Sequence, residues 1–320
     1  MLKRFRRASA AAATLALLAT GCGSGSSDTQ SPDGNDAVTV GVIPIVDVAP
    51  IYLGKEQGFF AERGIDLTLE SSQGGAAIVP GVMSGQFQFG FSNVTSLLLA
   101  RSKGLPVQVV ASGNSTTGDP SEDFGGVVAP KDSDISDAAD LAGKSVAVNT
   151  LNNIGDTTIR EVVRQAGGDP STIKFVELPF PDMPAAVQEG RVDAAWVVEP
   201  FLTIATDQGA RTVAANFAET HEDLMVAAYF TSQQLIDANP NLVDRFTEAM
   251  NESLSYAQEH PDEARDILGG YTDIDTGTAA DLTLPRWSPE IKTEPVQRLA
   301  DLAVSDGLID TAPDVAELLP

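Results

Sequence analysis

Apolar and polar positions recur along this chain in a unit that is present twice. From Gly85 to Gly104 the order is a glycine, the run Phe87-Gln88-Phe89-Gly90-Phe91, the polar pair Ser92-Asn93, a helix-length stretch and a closing glycine. From Gly190 to Gly209 it is a glycine, Val192-Asp193-Ala194-Ala195-Trp196, then Glu199-Pro200-Phe201, a helix-length stretch and a closing glycine. Phe91 and Trp196 keep the same offset as the glycines. Each unit predicts a glycine-closed helix, a short strand, a polar turn and a second helix whose N-terminus faces that turn.

The likeness extends outward. Val38 to Ile43 and Ser145 to Asn149 are β-branched strand candidates that lead through polar turns into helices, and Ile65 to Glu70 and Ile173 to Leu178 both read as strands. Ile51 to Glu62, Ala76 to Ser84 and Asp156 to Ala166 read as helices; Val107 to Ala111 reads as a strand, and Ser112 to Asp123 as a polar loop over the cleft. Alternating strands and helices build mostly parallel sheets covered on both faces, with ligands beyond the carboxyl ends of the strands. The expected fold is therefore α/β and two-lobed, each lobe a mostly parallel sheet flanked by helices, with a ligand cleft between. Gly125 to Ala129 is expected to cross to the second lobe and Met225 to Thr231 to return. The lobes then comprise residues 37–127 plus 225–320, with the C-terminal helices, and residues 128–224.

Composition adds a compartment and removes a class of partner. The 320 residues are 42% hydrophobic, enough for two real cores, and the net charge is −25. Phosphate neutralisation needs a basic surface, so nucleic-acid binding is excluded. Basic residues cluster at Lys3, Arg4, Arg6 and Arg7, ahead of an apolar run from Ala10 to Ala19 that is too short to span a bilayer. This is the layout of a secretory signal, residues 1–21. The lone cysteine, Cys22, follows Leu18-Ala19-Thr20-Gly21, which resembles the lipobox of bacterial lipoproteins except that alanine stands at the usual leucine position. The resemblance implies a lipid anchor on Cys22 at the outer face of the cell membrane; an ordinary cleavage site with a stray thiol is the other reading. Residues 22–36 are polar and Gly/Ser-rich, a flexible tether with a reach of roughly 20 Å.

Ala49-Pro50-Ile51-Tyr52-Leu53-Gly54-Lys55-Glu56-Gln57-Gly58-Phe59-Phe60, followed by Gly64-Ile65-Asp66-Leu67, resembles the opening of the nitrate-, taurine- and sulfonate-type solute-binding proteins. That family also includes binding proteins for the pyrimidine precursor of thiamine. The Gly85 to Asn93 and Asp193 to Phe201 patterns are similar to it too, over about Val38 to Val213. The resemblance implies a type II periplasmic-binding-protein-like fold, a small-molecule ligand, and delivery to the membrane permease of an ABC importer. The pyrimidine-precursor synthases that resemble this family carry a cysteine-rich motif near Gly74, which this chain lacks. In this family Leu141-Ala142-Gly143-Lys144 is a turn before a strand, and Gly143-Lys144-Ser145 is not read as a phosphate-binding loop because it precedes a strand and lacks the first glycine.

The turns expected to face the cleft supply the candidate ligand-binding residues: Asp47, Ser72, Gly74, Gly75, Ser92, Asn93, Thr95, Asn114, Thr150, Asn152, Trp196 and Glu199. Several have a second reading. Gly74-Gly75 either offers free amides at a helix start or merely turns the chain, and Ser92-Asn93 either caps its helix or reaches the cleft. Glu199 either accepts hydrogen bonds from a ligand or starts its own helix beside Pro200; Trp196 either stacks on a ligand or fills the core. These turns carry carboxylates, amides and hydroxyls but no Lys or Arg, so a ligand with an amine or aminopyrimidine edge suits them better than a pure anion.

No nucleophile with a base, no metal-ligand spacing and no cofactor motif is visible, and His221 and His260 are isolated. The expectation is a monomeric binding protein rather than an enzyme, with no catalytic residue, metal or cofactor. The alternative is an enzyme on the same fold, such as a pyrimidine-precursor synthase.

Overall fold

The computed structural model describes residues 34–272, 274 and 276–320; the signal segment, Cys22 and nearly all of the tether lie outside them. The first half of the chain runs β1 (Asp36–Val42), α1 (Ala49–Gln57), β2 (Ile65–Ser71), α2 (Gly75–Met83), β3 (Phe89–Asn93), α3 (Val94–Ser102) and β4 (Val107–Ser115). The second begins with β5 (Gly125–Pro130) and continues through β6 (Ser145–Val148), α4 (Ile154–Gln165), β7 (Lys174–Glu177), α5 (Met183–Gln188), β8 (Ala194–Val198), α6 (Phe201–Asp207) and β9 (Ala210–Ala214). Then come α7 (Asn216–Thr220), β10 (Met225–Ser232), α8 (Gln233–Ala238), α9 (Pro240–Glu259), α10 (Pro261–Asp266), α11 (Thr276–Asp281), α12 (Thr293–Ser305) and α13 (Val315–Leu318).

The strands form two five-stranded sheets with the orders β2-β1-β3-β10-β4 and β7-β6-β8-β5-β9. In both, the fourth strand runs antiparallel to its neighbours while the first three are parallel. The duplicated sequence unit thus occupies equivalent places: Phe91 on β3 and Trp196 on β8, each on the third strand of its sheet. Residues 116–124 and 215–224 are the two crossings, and they are tied together at the buried Asp123. Its carboxylate accepts from Thr116 Oγ1 (2.6 Å), from the amides of Thr117 and Phe124 (both 3.0 Å) and from the amide of Ala218 (3.1 Å) on the other crossing.

Two elements differ from the sequence expectation. The helix read as Ile51 to Glu62 stops at Gln57, because Gly58 turns left-handed (φ 87°) and returns its amide to the carbonyls of Gly54 and Lys55. Ser112 to Ser115, read as loop, continue β4, because β10 pairs with them: Ala228 faces Ser112, Ala227 faces Asn114 and Met225 faces Ser115. Polarity misled there; Ser112 and Asn114 are fully buried in the sheet.

The core of the first lobe is locked by α9 behind the sheet. Phe246 stacks on Phe89 of β3 with ring centroids 3.8 Å apart. Helix α1 comes so close to α9 that a Cβ at Gly54 would lie 1.8 Å from Ser253 Oγ. Among the described residues no helix is long and apolar enough to cross a membrane. The close approach yields a prediction: Gly54→Ala lowers stability by about 1–3 kcal/mol through overpacking, and adding Ser253→Gly recovers part of the loss, read by urea unfolding of the single and double variants.

Candidate functional site

The carboxyl ends of β1, β3, β6 and β8 converge between the lobes on a small chamber of about 30 Å³. The first lobe contributes Ile43, Ile45, Asp47, Phe91, Asn93, Val226 and Ala227; the second contributes Asn149, Ile154, Phe180, Trp196, Val198 and Phe217. A groove of about 270 Å³ shares Ile43, Ile45 and Phe180 with the chamber and is otherwise walled by Pro44, Ser71, Ser72, Gln73, Pro179, Pro181 and Phe201. No Lys or Arg lines either space.

Asp47 sits in a single 3-10 turn, Val46–Val48, that leads from β1 into α1. Its Oδ1 accepts from Asn114 Nδ2 (2.9 Å), while Oδ2 is buried without a partner. Trp287 holds the turn from behind, donating to the Asp47 carbonyl (3.3 Å). Burial pushes the Asp47 carboxyl up to about 7 against the pull of the Asn114 bond, and the nearby charge acting on it is another carboxylate, Asp123, which raises it further. Asn114 Oδ1, Thr95 Oγ1, the Tyr229 hydroxyl and Trp196 Nε1 are likewise buried without partners. A native interior leaves few such atoms, and each calls for a reason.

The remaining candidates fall into three groups. Asn93 lines the chamber and also caps α3, its Oδ1 accepting from the Ser96 amide (2.9 Å). Ser92 lies under Gly75, where a Cβ would come within 1.9 Å of its hydroxyl oxygen, and Gly74 faces Thr150 and Asn149 across the cleft at 3.1 and 3.3 Å by the same measure. These glycines therefore serve close approach, one within the lobe and one between lobes. Asn152 is exposed at a left-handed turn (φ 54°) outside the walls of chamber and groove, its amide donating to Asp156 Oδ2 (2.9 Å).

Glu199 and Trp196, both candidates for the ligand, part company. The Glu199 carboxylate turns back onto the start of α6, accepting from the Thr203 amide (3.0 Å) and hydroxyl (2.8 Å) and from the Thr283 amide (3.3 Å). It faces an outer hollow with Asp123, Thr206 and Thr212 rather than the chamber. Trp196 does line the chamber: its ring packs edge-on against Phe180 and Phe217, with centroids 5.3 and 5.6 Å away, and covers Gly155 of α4. Sequence reading passed over Phe180, Phe217 and Tyr229. Phe180 stands between Pro179 and Pro181, a signal that it is held at a rigid turn; Phe217 and Tyr229 look like ordinary core residues.

Bonds across the cleft hold the lobes together. The Val46 amide donates to the Glu199 carbonyl (3.1 Å), and Asn153 Nδ2 donates to Ser96 Oγ (2.8 Å). Farther out, α12 reaches α4 through Arg298 to Glu161 and through Arg164 to Asp306 (2.6 Å).

The buried carboxyls set a pH dependence. Asp47 and Glu199 are pushed up to about 7 and Asp156 to about 6, in each case mainly by burial. A carboxyl raised in the folded state holds its proton more tightly there than when unfolded, so stability falls as pH rises from near 4 to near 7 and levels off above. The carboxyls lowered in the fold, among them Asp193 and Asp223, act in the opposite sense but below that window. The prediction is that thermal stability of the ligand-free protein declines between about pH 5 and pH 8. Asp47→Asn flattens that decline and is the more stable form at pH 8, by up to roughly 4 kcal/mol at about 1.4 kcal/mol per tenfold in proton affinity, as read by melting across pH.

Comparison with known proteins agrees with this architecture. A "Formylaminopyrimidine-binding protein" from Halalkalibacterium halodurans is 24% identical over 68% of this chain and 64% of its own length. A "Putative aliphatic sulfonates-binding protein" from Bacillus subtilis is 22% identical over 84% of this chain and 77% of its own. A "4-amino-5-hydroxymethyl-2-methylpyrimidine phosphate synthase" from Saccharomyces cerevisiae is 23% identical over 67% of this chain and 64% of its own. The chain thus spans less than two thirds of the first and third of these relatives. The periplasmic nitrate-binding protein NrtA from Synechocystis superposes with a TM-score of 0.77 at 16% identity, covering 89% of this chain and 86% of that one, a likeness of fold. The profile of the NMT1/THI5-like family matches residues 45–264, more than half of the sequence, and the chain belongs to that family.

Proposed function

We propose that this chain is an extracytoplasmic solute-binding protein, held at the outer face of the cell membrane by a lipid on Cys22. It captures one small organic solute as a monomer and hands it to the membrane permease of an ABC-type importer. The observation that carries the reading is the chamber and its groove, whose walls come from both lobes and which in this conformation have little room between them. A solute enters only if the lobes part, and the crossings at residues 116–124 and 215–224 are the segments about which they turn. Relatives named for binding formylaminopyrimidine and aliphatic sulfonates support a solute-binding role.

The synthase relative favours a second reading, a pyrimidine-precursor enzyme on the same fold. The two differ in turnover: a binding protein returns its ligand unchanged.

The test is a thermal-shift screen of sulfonates, nitrate, pyrimidines, aromatic acids and amines, followed by small-angle scattering and product analysis with any hit. The expected outcome is one ligand class that raises the melting temperature, a radius of gyration that falls on saturation, and unaltered ligand. Conversion of the ligand to a product selects the enzyme reading, and an unchanged radius of gyration with ligand bound removes hinge closure. For the anchor, mass spectrometry of the native N-terminus is expected to find a diacylglyceryl group on Cys22. A Cys22→Ala protein still firmly in the membrane fraction refutes that part.

A further inference from the structure

The chamber is an aromatic box with acceptors on one wall. Phe91 stands on the first-lobe side and Phe180, Trp196 and Phe217 on the other, and Asp47 lies among them. Asp47 Oδ2 has no partner, nor has Oδ1 of Asn114, which bonds to the same carboxylate. The Tyr229 phenol, buried and unpaired, is near enough for the Asp47 charge to raise its pKa. Two buried oxygens, Asp47 Oδ2 and Asn114 Oδ1, therefore await a donor, the Tyr229 hydroxyl can give or take a bond, Trp196 Nε1 awaits an acceptor, and no Lys or Arg lines the chamber or groove.

The helix starts that meet the chamber each have one amide taken by their own cap. Asn93 takes the Ser96 amide at the head of α3, and Asn153 takes the Ile154 amide at the head of α4. An anion entering the chamber would meet the Trp196 N–H but also the unpaired Asp47 carboxylate, whereas a positive nitrogen would meet that carboxylate and ring faces.

Resting on the solute-binding reading, we infer that the ligand is an organic amine whose protonated nitrogen enters the chamber and takes Asp47 as its counter-ion, with Asn114 holding that carboxylate from behind. The chamber, at about 30 Å³, admits one group the size of an ammonium or a water and no more. The body of the ligand then lies in the adjoining groove, between Pro44 and Ile45 on one side and Phe180, Pro181 and Phe201 on the other. An apolar or flat aliphatic or aromatic body suits that lining. This assigns to Asp47, positioned by Asn114, the discrimination between cationic solutes and the acceptor-only sulfonates and nitrate.

The experiment is calorimetry on the purified protein with matched pairs: benzylamine, phenethylamine and cyclohexylamine hydrochlorides against benzoate, benzenesulfonate and nitrate. The amines are expected to bind and the anions not. Asp47→Asn, which keeps the shape and removes the charge, is expected to weaken amine binding by at least about tenfold while folding normally by near-UV circular dichroism. Asp237→Asn, on the exposed helix α8, controls for a general loss of negative charge. Binding of the anions but not the amines overturns the inference and leaves the solute-binding reading intact, as does amine affinity that survives Asp47→Asn. A neutral ligand from the wider screen, with no response to either arm, does the same. Silence of the entire wider screen counts against the solute-binding reading itself.

Discussion

The first lobe of this molecule is completed by a strand, β10, from beyond its own run of chain, while the second is built from one continuous run, β5 to β9, and everything else depends on how the two crossings are held. β10 enters the first sheet between β3 and β4, and β5 enters the second between β8 and β9. Both pass through one knot, where buried Asp123 gathers a hydroxyl and two amides from its own crossing and one amide from the other. A buried carboxylate is tolerable only when so bonded. Thr116 adds a direct backbone bond between crossings, its amide donating to the Leu224 carbonyl (3.0 Å).

The cleft is built on an opposite principle. Where Asp123 is satisfied, Asp47 is left half-bonded, and Trp196, Asn114 and Tyr229 add further unspent groups around it. Burying those groups without partners is costly, and the cross-lobe bonds at Val46 and Ser96 act in the opposite sense. A ligand that completes the bonding removes the cost and so favours closure, because it interacts differently with the open and closed forms.

Much of the architecture was legible because the two halves repeat: a glycine, a strand and a polar turn at constant spacing announce a duplicated unit whatever the local propensities. The end of β4 was not, since Ser112 to Ser115 carry the residues of a loop and become strand only through a partner more than a hundred residues away. At the site, Asp47 could be singled out as a carboxylate in a proline-bounded turn. Glu199 could not be resolved, because a carboxylate just before a helix reads the same whether it faces a ligand or its own backbone, and only the coordinates turn it onto Thr203. Phe180, Phe217 and Tyr229 were invisible for a different reason. An aromatic residue on a strand or short helix carries no local mark of whether its buried face meets other side chains or a cavity.

The return of β10 to the first sheet also dictates an order of events in biosynthesis. β4 is joined to its sheet by β10, whose first residue lies about a hundred positions further along, so the first sheet cannot be finished until the second lobe has been made. Contacts of such long sequence separation form slowly. Here the topology itself delays the native state of the first lobe until residues beyond Met225 are available.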